Sequence, residues 1–468
     1  VGILADCKKN SGCNSGCKKD GCCQKHSGCK KDSDQQSNVN YGFDTKRIHA
    51  GYCPKDHHYA SSVPIYQTAA FGLTNTEVAN QIVTGQLTGR FDYSRDGNPT
   101  VEVLEERIAT LEGGIGAVAV ASGMSAISFA ILNVAECGGR IIAPVNIYGS
   151  SLDEFRNFFP NYGINFDLVD DINDLAKVQS LIKPDTKAIY VESVANPSTE
   201  IADIENLAKI AHQAGIPLIV DNTFPTPYLL RPFEFGADIV VYSSTKGING
   251  HGNTLSGLIV DHGKFDWANG KFPQFTSTEF ILGDEQRGIQ ESFASKFGPV
   301  AFIKRTRMKY VRLLGSVLSP IDAYFVLLGL ETISERLDKE VSSAKKIAQF
   351  LTENEHVKQV FYSGLNEADP LVKKYFPKGV GAVLSFELAG NETNIAKLID
   401  HIKLFSYLPN IGDAKSLIVN PARTTHREVP TAFRKRNGLN PQIIRLSIGL
   451  EDVADLIADL DQAIKQAF

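Results

Sequence analysis

The sequence predicts an α/β protein with a mostly parallel sheet in a large domain, followed by a smaller α+β domain. Three observations carry this. Short apolar runs alternate with helical stretches from about residue 115 to residue 246, the pattern of strands joined by helices that cover both faces of a sheet. Polar or glycine-rich turns follow those runs, at the carboxyl ends of strands where such sheets gather their chemistry. After Phe297 the texture changes to long helical patterns and then to alternating runs.

In chain order, Ala117–Ala121 reads as the first strand, and SGMSAISFAILNVAE behind it has helical spacing. Arg140–Val145 and Ile164–Val169 are the next strands, followed by a helix near 173–183 and the strand Lys187–Glu192. Asp203–Ala214 is an amphipathic helix ended by Gly215, and Ile216–Val220 is the strand after it. The run from Ala237 to Tyr242 then leads into Ser243, Ser244, Thr245 and a glycine-rich turn. Beyond a boundary near residue 300, Pro299–Leu318 and Asp322–Phe350 read as long helices broken at Ser319-Pro320. Alternating runs near 358–363, 381–388, 416–419 and 443–449 follow, closed by a helix over 452–467. Gly114 to Ala119 fits the G-x-G-x-x-A fingerprint of dinucleotide sites, but these glycines precede a strand instead of following one. The motif is therefore rejected and does not argue for a Rossmann dehydrogenase.

At 468 residues, 43% hydrophobic and 22% charged, the composition is that of an ordinary globular chain of two or three domains. A net charge of −5 gives no basic footprint for nucleic acid. No apolar run approaches the roughly 20 residues of a membrane span. Val1 opens no cationic, apolar and small-residue series, so no signal peptide is expected and a cytoplasmic enzyme is.

The head of the chain is different. Six of the eight cysteines (Cys7, Cys13, Cys17, Cys22, Cys23 and Cys29) lie in the first thirty residues, and SGCKKD occurs at 15–20 and again at 27–32. With almost no apolar residue after Leu4, residues 1–40 are expected to be disordered without a ligand, with 33–40 as a linker. The thiolates, with His26 among them, could hold zinc, copper(I) or an iron–sulfur cluster. Their spacing lacks the paired C-x₂-C knuckles of ordinary zinc sites, so a metal or redox role and a passive tail both stay open.

Lys246 stands at the polar end of an apolar run. A lysine buried there with its charge is costly, and the reason that fits is covalent: a partly neutral amine can form a Schiff base. Asp221 ends the previous strand in IPLIVDN, and two successive parallel strands bring both groups to one ligand. A lysine for the aldehyde and a carboxylate for the ring nitrogen is the arrangement pyridoxal phosphate needs. Ser122-Gly123-Met124, where a strand ends and a helix begins, suits its phosphate. Ser243 and Thr245 add hydroxyl donors, and Arg95 in FDYSRDGNPT is a candidate guanidinium. Tyr148 could stack on a planar ring, and Asn196 follows the strand before Asp221. Taken singly, each also fits a plain cap, turn or packing residue; falling at successive strand ends, they point to one site.

With these residues in view, the chain from about Gly42 to Phe468 resembles the Cys/Met-metabolism enzymes that use pyridoxal phosphate, a family of γ-synthases, lyases and sulfhydrylases. The matching pieces are DTKRIHAG, PIYQTAAF, YSRDGNPT, ASGMSA, ESVANP, VDNTF, SSTKGINGHG, GDAKSL and RLSIGLED. The resemblance implies fold type I, with an N-terminal arm (41–95) reaching a neighbouring subunit, a cofactor domain (96–299) and a C-terminal domain (300–468). It implies at least a homodimer, and a homotetramer is expected. Tyr93 and Arg95 would complete the neighbour's phosphate site, Tyr93 also standing near the substrate as a proton-transfer candidate beside Lys246. Ser122, Gly123, Met124, Ser243 and Thr245 match phosphate-side residues, Tyr148 the ring-stacking tyrosine, and Asn196 the residue by the phenolic oxygen. Asp221 matches the pyridine partner, Lys246 the anchoring lysine, and Arg445 the clamp on the substrate α-carboxylate.

Residues 265–276, 297–320 and 410–426 are similar to the sulfhydrylase branch. Asn410 stands where lyases carry serine, and Ser150 where methionine γ-lyase has cysteine. The resemblance thus implies γ-replacement, in which O-acetyl-L-homoserine and sulfide give L-homocysteine and acetate, as in methionine biosynthesis, while a small thiol in place of sulfide would give the corresponding thioether. A γ-lyase or a cystathionine γ-synthase is the alternative. Gly247, Asn420 and Arg423 depart from the family pattern.

Overall fold

The computed structural model describes residues 41–83, 86–87, 89–283, 288–425, 427 and 439–468. The six clustered cysteines, His26 and the linker at 33–40 lie outside the described residues. The larger sheet has seven strands: β1 (Gly116–Val120), β2 (Gly139–Pro144), β3 (Ile164–Val169), β4 (Thr186–Glu192), β5 (Leu218–Asp221), β6 (Ile239–Tyr242) and β7 (Gly257–Asp261). Their order is β1-β7-β6-β5-β4-β2-β3. From β3 to β6 every neighbouring pair is parallel, whereas β7 runs against both β6 and β1.

β5, β6 and β7 are buried along their whole length, as strands covered on both faces must be. Successive residues point to opposite faces. Val220, Val240 and Val260 therefore join one core with Leu104 and Ile108, while Ile219, Val241 and Ile259 join another with Ile131 and Phe302. The helix Pro99–Glu112 covers the first face, with Asn98 accepting from the Thr100 N–H as its cap. The helix Gly123–Ala135 covers the second.

The expected strands and the helices between them are present, displaced by one or two residues at their ends. β7 is an addition, because strand–helix alternation gives no warning of a strand that follows β6 with no helix between. Two long helices differ from expectation. The stretch read as one helix over 299–318 is Ala301–Arg305, a wider turn over Thr306–Val311, and Arg312–Leu314. Gly315, in the left-handed region at φ 77°, ends it, and Val317 bridges to Val120 instead. Ser319 and Pro320 begin the next helix as its cap and first residue, and that helix closes at Leu330. A separate helix spans Ile333–Thr352.

The second sheet contains β8 (Val357–Phe361), β9 (Val383–Leu388), β10 (Ser406–Tyr407), β11 (Leu417–Val419) and β12 (Ile443–Ser447), in the order β10-β11-β12-β9-β8. Its core joins Phe386 and Leu446 to Ile464 of the helix Val453–Ala467. This sheet meets the turn after β4 directly: the Ser385 hydroxyl donates to Pro197 O at 3.0 Å, and the Ser363 N–H to Thr199 Oγ1 at 3.1 Å. Among the described residues no helix is long and apolar enough to cross a membrane.

Candidate active site

The carboxyl ends of β4, β5 and β6 open on a cavity of about 220 Å³. Ser122, Gly123, Met124, Tyr148, Asn196, Asp221, Ser243, Thr245, Lys246, Asn410 and Arg445 all line it. Tyr93 and Arg95 do not. Tyr93 is 43% exposed and bridges to Ala70, with the Arg95 guanidinium 5.2 Å from the centre of its ring.

Lys246 sits in the loop that joins β6 to β7. Arg336 ties that loop down from below, its guanidinium donating to Gly247 O at 2.9 Å, Ile248 O at 3.2 Å and Gly329 O at 2.8 Å. Gly412 packs against the same loop so closely that a Cβ there would lie 2.5 Å from Gly247 N. The Lys246 amine is thereby held in the cavity wall, donating to Asn410 Oδ1 at 2.5 Å. Burial, and then the charge of Arg445, bring its pKa down to about 8.

Arg445 lies on β12, in the second sheet, and donates to Asn196 Oδ1 at 3.1 Å and to Asn410 O at 3.2 Å. Burial brings its pKa down to about 10. No carboxylate among the described residues forms an ion pair with it. A buried guanidinium held by two amide oxygens and lacking a counter-charge is suited to an anionic ligand.

Asp221, at the end of β5, accepts from the Thr223 N–H at 3.0 Å, the Thr223 hydroxyl at 2.5 Å and the Tyr190 hydroxyl at 3.3 Å. Burial raises its proton affinity. Glu192 is its partner in register on β4, and the two carboxyls share one side of the sheet. Glu192 is raised as well, by burial first and by Asp221 second. An incoming cationic ring nitrogen would offset this raised proton affinity of the pair.

At the other end, Ser122 caps the helix Gly123–Ala135, accepting from the Ser125 N–H at 3.1 Å. Ser122, Gly123 and Met124 line that end of the cavity, and the free N–H groups of a helix's first turn suit an anion. Glycine is needed twice here. A Cβ on Gly123 would lie 2.5 Å from Ser243 Cβ, and one on Gly257 would lie 2.0 Å from Ser122 O. The Thr245 hydroxyl donates to Ser256 O at 3.1 Å and accepts from Ser256 N at 2.9 Å, which locks it to the start of β7.

A buried amine of low basicity, a carboxylate on the next strand, a helix N-terminus and an unpaired guanidinium together fit pyridoxal phosphate bearing an amino acid. Three contributors escaped the sequence reading: Glu192, Thr223 and Arg336. Glu192 ends its strand as Asp221 does, so the same rule could have found it. Asn420 and Arg423, which depart from the family pattern, are structural: Asn420 donates to Pro441 O at 2.7 Å and Ile443 O at 3.1 Å, and Arg423 pairs with Glu392.

Known proteins agree with this chemistry. The O-acetyl-L-homoserine sulfhydrylase of Leptospira meyeri is 38% identical over 436 residues, 91% of this chain and 97% of the relative. The homocysteine/cysteine synthase of Saccharomyces cerevisiae is 38% identical over 91% of this chain and 98% of its own length. A Campylobacter jejuni protein assigned as an O-acetylhomoserine (thiol)-lyase, solved with a pyridoxyl-lysine phosphate, superposes with a TM-score of 0.86. It is 35% identical, over 91% of this chain and all of that one. The profile of the Cys/Met metabolism PLP-dependent enzymes matches residues 44–465, and the chain belongs to that family.

Proposed function

We propose that this chain catalyses γ-replacement on O-acetyl-L-homoserine: sulfide takes the place of acetate at Cγ and L-homocysteine is released. The observation that carries the amino-acid chemistry is the pairing of buried Lys246 with the uncompensated guanidinium of Arg445, both held by Asn410. The choice of substrate is supported by the relatives named above.

Bound pyridoxal phosphate supplies an electron sink for the charge left when the α-proton departs. Arg445 holds the substrate carboxylate with its fork of N–H donors and so fixes which bond at Cα faces the sink. Lys246 Nζ anchors the cofactor and, with a pKa near 8, is matched to taking a proton from Cα and returning one. Asn410 Oδ1 keeps that amine aimed while its backbone oxygen steadies Arg445. Asp221 holds a proton on the ring nitrogen, and Tyr148 covers the ring face. The N–H groups at Ser122-Gly123-Met124, with Ser243 and Thr245, hold the phosphate. Tyr93 and Arg95, exposed here, complete that end from the partner subunit, so the working unit is at least a homodimer.

The rival outcome is γ-elimination, which yields 2-oxobutanoate and ammonia from the same start. Supplying O-acetyl-L-homoserine with and without sulfide separates them: homocysteine is expected to dominate when sulfide saturates, and a dominant keto acid would sink the proposal. Lys246→Ala should lose the visible absorbance of the anchored cofactor and about 10² to 10⁴-fold of the rate. Residues 1–40 are either a thiolate module that holds metal or a passive tail, and the module is the testable reading. Metal analysis should show metal in the full chain and none after their removal; equal content would make them a passive tail.

A further inference from the structure

Glu192 has no part in the mechanism above, yet it is buried in the wall of the same cavity. Its two oxygens have different partners. Oε1 accepts from the Tyr148 N–H at 2.7 Å and Oε2 from the Asn196 N–H at 3.1 Å. Tyr148 caps the short helix Gly149–Asp153 after β2, and Asn196 begins the turn after β4. Through Asn196 Oδ1 the link runs on to the Arg445 guanidinium at 3.1 Å. One carboxylate thus ties the residue covering the cofactor ring to the residue that would bind the substrate carboxylate.

We propose that Glu192 is a positioning residue that sets Tyr148 and the Asn196–Arg445 pair as one unit, aligning the ring face with the amino-acid clamp. This rests on the functional reading above. With a cationic ring nitrogen bound to offset the raised proton affinity, Glu192 meets the demand as a carboxylate: two N–H donors converge on it, whereas glutamine offers one acceptor oxygen and an amide that is itself a donor. In glutamine's place, one N–H would face another donor and that turn would shift. Asp221, beside it in register, makes a second charge unfavourable. Glu192 stands there despite that repulsion, in keeping with its being a tether between two loops.

The experiment compares wild type and Glu192→Gln, both loaded with pyridoxal phosphate, by spectral titration with two unreactive ligands. Glycine carries the carboxylate that Arg445 would hold; methylamine is the same amine without it. Loss of a hydrogen bond to a charged group predicts glycine binding weakened about tenfold, with methylamine changed by less than about twofold. In a double-mutant cycle, Asn196→Ala should leave no further effect of Glu192→Gln on glycine, because both break the same link. Equal weakening of glycine and methylamine would mean general disorder of the site and overturn the proposal, as would unchanged glycine binding. If Glu192→Gln yields no folded protein, Glu192→Asp, too short to span both N–H groups, is judged by the same two titrations. Absence of visible absorbance in the wild type would instead overturn the functional reading, a result distinct from either.

Discussion

Asn410 accepts from the Lys246 amine through its side chain and from the Arg445 guanidinium through its backbone oxygen, so one residue sits between two buried cations. The loss of water, and then their mutual repulsion, act in the same direction on Lys246, bringing it from 10.5 to about 8. The neutral amine, the form that attacks an aldehyde, is therefore the minor form below about pH 8 and the major one above. Adding pyridoxal phosphate to cofactor-free protein should show a capture rate that climbs with pH up to about 8 and then levels. Stopped-flow absorbance would follow it. A rate still climbing at pH 10 would mark an exposed lysine of ordinary basicity.

Among the elements, the helix Gly123–Ala135 bears the heaviest demand, because its first turn is pressed against β6 and β7. Gly123→Ala would put a Cβ 2.5 Å from Ser243 Cβ and lever that end away. With up to ~2 kcal/mol available from a partly buried helix terminus, the dissociation constant for pyridoxal phosphate should rise by tenfold or more. Equilibrium dialysis would measure it. Much of this was legible in the sequence: β5 and β6 are short apolar runs that end in Asp221 and lead to Lys246, so chemistry and topology coincide. What stayed hidden had physical reasons. Ser316–Leu318 continues a helical spacing although Gly315 has already turned the chain, and periodicity does not register a left-handed residue. Arg336 reaches the lysine loop from 89 residues downstream, a contact that no local pattern announces. Tyr148, Asn196 and Glu192 were all readable as strand-end residues, but that the Glu192 carboxylate joins the other two shows only in the folded chain.

At the scale of the whole molecule, several acids are buried without ion-pair partners among the described residues. Burial raises Glu112, Asp261 and Glu340 each to about 8. Each retains one side-chain oxygen without a hydrogen-bond partner, which suits a protonated group. A raised acid binds a proton more tightly in the folded chain, so its stabilising share is complete below the unfolded value and lost as pH rises through the folded one. Between about pH 5 and pH 8 these acids should make the cofactor-free protein less stable as pH increases. Urea midpoints across that range would show the decline, and Glu112→Gln should flatten it. A midpoint that climbs steadily to pH 8 would contradict this account.

β1 lies at the sheet edge, and its neighbour is β7, so Ala117 waits for Val260. The strands from β2 to β6 pair within residues 139–242. During synthesis, then, β1 remains without its neighbour while most of the α/β body emerges, and pairing at such long sequence separation forms late. The helix opening at Gly123 is attached directly to β1. The phosphate end of the cavity is thus completed only when residues 257–261 arrive, and the nascent chain stays cofactor-blind at least until then; Asn410 and Arg445, which line the other end, come later still.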